Sequence, residues 1–137
     1  MIDYVYQHRV RYRECDPMGV VYHAHYVDYF EAARTEALRA HGLAYKTLEE
    51  TGIIMPVVEL SVRYHRPARY DDLLEITVSI AEPDTRAETT YEVRRAGEER
   101  VLVSGAVTLC FLDTAQGRTV RAPQVVLDAF ARATAPA

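Results

Sequence analysis

Apolar and polar residues alternate at the beginning of the chain. From Tyr4 to Tyr12, tyrosine, histidine and valine occupy every second position, with glutamine and arginine among the residues between them. A period of two predicts a β-strand that buries one face. From Tyr22 the period lengthens to that of an α-helix, which Gly42 is suited to end. The apolar stripe of this helix comprises Tyr22, Tyr26, Tyr29, Ala33, Ala37 and Ala40.

Two acid–base pairs are expected on the outer side of this helix. Glu31 and Arg34 lie three residues apart, as do Glu36 and Arg39. Side chains with this spacing are neighbours on a helix surface. The pattern therefore predicts a solvated face opposite the apolar stripe.

Alternation returns in the second half of the chain and predicts four further strands. A short helix or turn ending at Gly52 precedes them, and a C-terminal helix over about residues 123–133 follows them. The sequences EPDT and RAGEE are typical of short hairpin turns, so neighbouring strands should pair antiparallel. The strands are expected to begin at Val58 and to span residues 72–81, 89–95 and 101–112.

The order of these elements predicts an α+β fold. An antiparallel sheet of about five strands would wrap around one long central helix, whose alanines let it pack closely. One helix cannot cover the apolar face of such a sheet. We therefore expect the chain to form a homo-oligomer.

Composition narrows the class of protein. The chain has 137 residues, enough for one domain over residues 1–137, and 49% of them are hydrophobic. The formal charge of −4 argues against a nucleic-acid partner. No apolar run approaches the roughly 18 residues of a membrane span. The two cysteines have no metal-site spacing, and the charged first residues are unlike a signal peptide, so a cytoplasmic location is expected.

The stretch ECDPMGVVYHAHY, Glu14 to Tyr26, carries the candidate chemistry. One interpretation makes Asp16 the N-cap of the long helix, with Pro17 in its first turn. The other places the Asp16 carboxylate where free amides at the helix start can hold a developing oxyanion, with Gly19 allowing a close backbone approach. In that setting Asp16 could act as a nucleophile or as a general base.

Other side chains of this stretch have weaker claims. His23 and His25 could suggest a metal pair, but residues two apart diverge on a helix and no third ligand stands at a supporting spacing, so no metal is expected. Cys15 lacks a local base that would activate its thiol and is expected to be a small buried residue. Packing or a polar contact is the simpler role for His25.

A basic stretch surrounds the end of the second predicted strand. Arg63, Arg66 and Arg69 occur within VRYHRPARYDD. A solvated strand edge is one explanation. Phosphate binding is the other, because the forked donors of arginine suit phosphate oxygens.

Taken together, YRECDPMGVVYHAHYVDYFEAARTEALR and YHRPARYDDLLEI resemble the 4-hydroxybenzoyl-CoA thioesterase-like hotdog family, most closely its YbgC-type acyl-CoA thioesterase branch. The resemblance runs from Tyr4 to about Pro123. It implies a hotdog fold, in which the sheet wraps the long helix. It also implies subunits paired through a continuous sheet, as a dimer or a dimer of dimers (a homotetramer), with sites at the subunit interface.

The resemblance also implies roles for particular residues. Asp16 matches the catalytic carboxylate and Gly19 the glycine of the motif. His23 matches the residue whose backbone amide polarises the thioester carbonyl, and the side chains of His23 and Tyr22 would line the site together with Val20. His25 departs from the asparagine or serine of many members.

The implied activity is hydrolysis of an acyl-CoA thioester to a free acid and CoA, without metal or redox cofactor, because a thioester is already activated. Arg63, Arg66 and Arg69 are candidates for the CoA phosphates. The alternative is a non-catalytic acyl-CoA-binding or scaffold protein with the same fold.

Overall fold

The structure is a computed structural model and describes residues 1–134. In chain order, the elements are β1 Ile2–Arg9, α1 His25–Ala40, α2 Tyr45–Glu50, β2 Ile53–Ile54, β3 Val57–Tyr64, β4 Leu73–Ile80, β5 Arg86–Arg95, β6 Val103–Asp113, β7 Arg118–Val120 and α3 Gln124–Thr134. A single 3₁₀ turn over Tyr12–Glu14 lies between β1 and α1.

One antiparallel sheet organises these elements. Its main strands follow the order β1-β4-β5-β6-β3, and the short strands β2 and β7 pair with the far end of β6. The predicted α+β class and the antiparallel hairpins are therefore confirmed. The two short strands were not predicted, because two or three residues are too few to show a period.

Helix α1 packs on the sheet through its predicted stripe. Tyr26, Tyr29, Ala33 and Ala37 are buried as predicted, whereas Ala40, the last residue of the predicted stripe, is exposed at the end of the helix. Phe30 stacks on Tyr91 of β5, with ring centroids 4.4 Å apart. A side chain at Gly105 of β6 would overlap the Phe30 ring, so this glycine lets the helix approach the sheet.

The outer face of α1 differs from its prediction at one position. Arg39 and Glu36 form the expected pair, with Nε 3.5 Å from Oε2. Arg34 does not face solvent, because its side chain is buried and donates to the hydroxyls of Tyr45 and Tyr91. The two tyrosine hydroxyls accept hydrogen bonds from the guanidinium, at 2.8 and 2.9 Å, and so compensate in part for its loss of water.

Several predicted boundaries are wrong. Strand β5 begins at Arg86 instead of residue 89, and the bounds of β3, β4 and β6 shift by one or two residues. Two further errors lie on either side of the candidate motif. Strand β1 ends at Arg9, and Tyr12 lies in the 3₁₀ turn with 80% of its surface exposed. Helix α1 begins at His25, so Tyr22 stands outside it and is exposed. In both cases a tyrosine outside the element happens to fit the hydrophobic pattern of that element, so the pattern extends beyond the strand or the helix.

The remaining predicted elements are present. Helix α2 ends before Gly52, and the C-terminal helix buries Val126 and Phe130, whereas Leu127 is half-buried. Within residues 1–134, no helix is both long enough and apolar enough to cross a membrane.

Candidate active site

Residues 15–21 form a tight hairpin turn. The N–H of Asp16 donates to the carbonyl of Val20, and the N–H of Gly19 donates to the carbonyl of Asp16, both at 2.9 Å. Cys15 and Val21 form an antiparallel bridge across its base. Gly19 has a φ of 81°, the left-handed conformation that glycine adopts without strain. The turn thus projects Asp16 from a fixed backbone.

The helix-cap interpretation of Asp16 is therefore wrong. The residue that caps α1 is Ala24, which has no side-chain cap. The Asp16 Oδ1 atom instead accepts the N–H of Met18 at 2.9 Å, a bond within the turn. Pro17 occupies the second position of a β-turn, where its fixed φ is equally well suited.

A distant segment holds the turn against the fold. The N–H of Val21 donates to the carbonyl of Ala68 at 2.9 Å, and Val20 forms an antiparallel bridge with Arg69. The motif around Asp16 and the RPAR sequence are consequently neighbours in space. Both belong to one region of the molecule.

Glu14 anchors the entry to this turn. Its Oε1 atom lies 2.8 Å from Nε2 of His8 and accepts the hydroxyl of Tyr29 at 3.0 Å and the N–H of Arg11 at 2.8 Å. Its backbone carbonyl accepts the N–H of Tyr22 at 2.9 Å. Burial acts to raise the pKa of Glu14, but the hydrogen bonds outweigh it and the net pKa is lowered.

Asp16 lines a pocket with a volume of about 290 Å³. The pocket combines one carboxylate with aromatic and aliphatic walls, a composition that suits an acyl group beside a reacting carbonyl. Its lining residues are Asp16, Val20, Val21, His23, Tyr26, Tyr64, His65, Arg66 and Pro67.

Two backbone N–H groups lie at the start of α1, one on His23, which lines the pocket, and one on Ala24, which does not. Within residues 1–134, the N–H groups of His23 and Ala24 donate no hydrogen bond to another protein group. They precede α1, whose first-turn N–H groups add a positive partial charge. Such donors can stabilise negative charge on a carbonyl oxygen.

Other residues of the motif lie at the margin. Gly19 and Tyr22 do not line the pocket, although the Tyr22 ring lies 4.3 Å from that of His23. The Nδ1 atom of His25 lies 3.2 Å from Oδ2 of Asp28, on the outer side of the helix start. In the described part of the chain, no group of three or more His, Cys, Asp or Glu side chains is arranged to hold a metal.

Cys15 is a poor nucleophile in this setting. Burial raises the pKa of its thiol, and the neighbouring charge of Asp16 raises it further. A raised pKa leaves little thiolate at neutral pH. Of the two adjacent residues, Asp16 lines the pocket and Cys15 does not.

A second, basic cleft of about 510 Å³ adjoins this pocket, and the two share Arg66 and Pro67. Four arginines and two glutamates line it, giving a local formal charge of +2 in a chain whose total is −4. The lining residues are Arg66, Pro67, Arg69, Arg95, Glu98, Glu99 and Arg100.

The arginines of this cleft differ in their partners. Arg95 is held by Asp72 at 2.9 Å and by the carbonyl of Pro67 at 2.8 Å. Among residues 1–134, no carboxylate pairs with the guanidinium groups of Arg66, Arg69 or Arg100. These three cations are available to an anion.

Similarity to known proteins shows the family to which this chain belongs. A family model described as the thioesterase-like superfamily matches residues 10–130. The chain belongs to that superfamily. The acyl-CoA thioesterase YbgC of Haemophilus influenzae is 35% identical over 123 residues, which cover 89% of this chain and 90% of that protein.

Two further known proteins are similar to this chain, one in sequence and one in structure. The acyl-CoA thioester hydrolase YbgC of Escherichia coli O6:H1 is 46% identical over 72 residues, so the match spans 53% of this chain and only about half, 54%, of that relative. The crystal structure of a DHNA-CoA thioesterase from Staphylococcus aureus superposes with a TM-score of 0.88 at 26% identity, covering 97% of this chain and 91% of the other. The expected hotdog fold is confirmed.

Within this thioesterase fold, the predicted site residues fall into three groups. Asp16, Val20, His23 and Arg66 share the pocket, and Arg69 lies in the adjoining cleft. Arg63 lines neither space. It precedes Tyr64 on β3, and adjacent strand residues point to opposite faces, so Arg63 points away from the pocket that Tyr64 lines.

Sequence reasoning missed Tyr26, Tyr64 and Arg100 as site residues. The two tyrosines lie at ordinary core-type positions of a helix and a strand, so no signal marks them. Arg100 lies in the turn between β5 and β6, about thirty residues from RPAR, and only the hairpin brings it to the cleft. The cluster RRAGEER is a local signal of charge that could have identified it.

Proposed function

We propose that this protein hydrolyses an acyl-CoA thioester to a carboxylic acid and CoA. The observation that carries the proposal is one pocket lined by Asp16 and by His23, whose backbone N–H donates to no group of the described chain, beside a basic cleft that shares Arg66 and Pro67 with it. The family membership and the names of the relatives support the same reaction.

The reaction follows from this arrangement. The thioester carbonyl would lie with its oxygen near the His23 amide, which stabilises the negative charge that develops there. Asp16 either attacks the carbonyl carbon, forming a mixed anhydride that water then cleaves, or removes a proton from the attacking water. In both routes the C–S bond breaks and CoA leaves as a thiolate that takes up a proton. Water supplies one oxygen, which enters the product acid in the general-base route and one of the two carboxylates of the anhydride, that of the product or that of Asp16, in the other route. No metal or redox cofactor takes part in either route.

The basic cleft is the proposed place for the phosphates of CoA. Arg66, Arg69 and Arg100 have no carboxylate partner in the described chain and lie beside the acyl pocket. The net charge of the whole protein repels a polyanion, so a local cluster of arginines must hold it.

A homodimer, or a dimer of dimers, would complete the site. Within residues 1–134, strand β3 pairs with β6 alone, and it exposes several apolar side chains. Tyr64 and the segment that follows β3 also line the pocket. A second copy placed against β3 would therefore close the open side of the pocket.

Release of CoA from a panel of thioesters tests the proposal. Acetyl-, octanoyl-, palmitoyl-, benzoyl- and 4-hydroxybenzoyl-CoA would be incubated with the protein and a thiol-reactive dye. The aromatic esters are included because the Staphylococcus aureus neighbour is named for an aromatic acyl-CoA. Enzymatic release of thiol with at least one ester is expected.

The alternative function is binding without hydrolysis. A non-catalytic acyl-CoA-binding protein would retain the same esters on equilibrium dialysis and release no thiol above the uncatalysed rate. That result with every ester would overturn the proposed function.

A further inference from the structure

The hydroxyl of Tyr64 makes one long-range contact with the helix start. It donates a hydrogen bond of 2.8 Å to the backbone carbonyl of His23, across 41 residues of sequence. In a regular α-helix the carbonyl of His23 would accept the N–H of Val27, four residues later. Here the N–H of Val27 donates to the carbonyl of Ala24 instead. In the described chain the edge strand β3 thus supplies the partner that α1 does not.

The contact acts on the residue that carries the proposed oxyanion donor. The carbonyl of His23 belongs to the same rigid peptide as the N–H of Ala24, and it fixes one of the two peptides that flank the His23 α-carbon. A hydrogen bond accepted by a peptide carbonyl also polarises the N–H of that peptide. The Tyr64 hydroxyl therefore constrains the free amides where negative charge would develop.

We propose that Tyr64 is a positioning residue for hydrolysis, acting through the His23 peptide rather than on the substrate. The inference rests on the proposed function. The tyrosine ring also packs 5.7 Å from the ring of Tyr26 and 6.4 Å from that of His23. Phenylalanine keeps these ring contacts, so the Tyr64→Phe change removes only the hydrogen bond.

The first test compares Tyr64→Phe with Tyr70→Phe. Tyr70 is also exposed, and its ring contacts Tyr12, outside the pocket. With the panel ester that the unaltered protein hydrolyses fastest, Tyr64→Phe should lower kcat about five- to tenfold and leave KM within twofold. The unfolding temperature and the oligomer size should not change. Tyr70→Phe should leave kcat and KM as they were.

The second test measures the substrate carbonyl directly. In an Asp16→Asn background, which would hold the ester uncleaved, the C=O stretch of bound benzoyl-CoA is recorded by infrared difference spectroscopy with and without Tyr64→Phe. A weaker or misdirected amide donor polarises the carbonyl less, so the band should move to higher frequency. A tyrosine that only stabilises the fold would leave the band unmoved.

The outcomes separate this inference from the proposed function. If the unaltered protein releases no thiol from any ester, the proposed function fails. If it is active and Tyr64→Phe retains kcat within twofold, or loses activity only together with its oligomer or its unfolding temperature, the positioning role is refuted. An unmoved carbonyl band refutes it as well.

Discussion

At the scale of single residues, the Asp16 side chain combines an observed structural role with the catalytic role that we propose. One oxygen accepts the N–H of Met18 and keeps the turn, a role that an amide oxygen can also perform. The chemistry needs a negative charge, which an amide lacks. Substitution by asparagine therefore distinguishes turn structure from catalysis.

The Asp16→Asn variant is expected to fold normally and to lose about 10³-fold or more in kcat. Steady-state release of CoA, with circular dichroism as a check of the fold, measures the effect. Asp28→Asn is the matched control, because Asp28 lies nearby on the exposed side of α1 and lines no part of the pocket. Activity of Asp16→Asn within a few-fold of the unaltered protein would contradict the catalytic role.

Glu14 provides a pH-dependent contribution to stability. Its folded pKa lies below its unfolded value, so the charged form is favoured in the folded state. The contribution is complete above the unfolded value of about 4.5 and is lost as the pH falls through the lower folded pKa.

The Glu14→Gln variant should therefore unfold more readily near pH 7, by about 2 kcal/mol, and should lose less stability than the parent on acidification. Urea titrations at pH 7, 5 and 4 measure both effects. Glu36→Gln, on the exposed face of α1, is the control. Parallel pH dependences for Glu14→Gln and the parent would exclude the assigned role.

Part of the candidate site could be predicted from the sequence at the level of single residues. Asp16, Val20 and His23 can be predicted from the sequence because they lie within eight residues of one another and match a family motif. The backbone conformation of this segment cannot be predicted in the same way, because the sequence Asp-Pro-x-Gly suits both a helix start and a tight turn. The bonds that decide between these forms connect Val20 and Val21 to Ala68 and Arg69, nearly fifty residues away.

At the scale of elements, the β5–β6 hairpin forms one wall of the basic cleft. It contributes Arg95 and Arg100, and the segment after β3 contributes Arg66 and Arg69. Periodicity predicts each element separately but not which loops meet. Arg63 does not line the cleft, although the sequence groups it with Arg66 and Arg69.

Replacing Arg69 or Arg100 by alanine should raise KM for an acyl-CoA about three- to tenfold, with little change in kcat, because lost phosphate binding weakens substrate and transition state alike. A truncated thioester that lacks the nucleotide should be unaffected. Arg63→Ala is the control and should leave both constants unchanged. An unchanged KM for Arg66→Ala, Arg69→Ala and Arg100→Ala would mean that the cleft is only a solvated surface.

At the scale of the whole molecule, the two edges of the sheet differ. Strand β1 exposes Val5 but otherwise carries polar outward residues, whereas β3 exposes Val57, Val58, Leu60 and Tyr64 together. An edge strand with such a row of apolar side chains is a pairing surface unless something covers it. The pocket also lies at the β3 edge rather than at β1.

Leu60→Lys is expected to convert the proposed homo-oligomer into a monomer of 15.6 kDa and to reduce the proposed hydrolysis with it. Leu60 is 44% exposed in the single chain, and a lysine there would place a charge in the proposed contact between copies. Val5→Lys is the matched control, since Val5 is 51% exposed on the opposite edge strand and should tolerate the charge with size and activity intact. Light scattering across a dilution series measures the molecular mass, and an assay of CoA release at the same concentrations measures the activity. A parent that is already monomeric at micromolar concentration, or a Leu60→Lys monomer with full activity, would show that the pocket of one chain is sufficient.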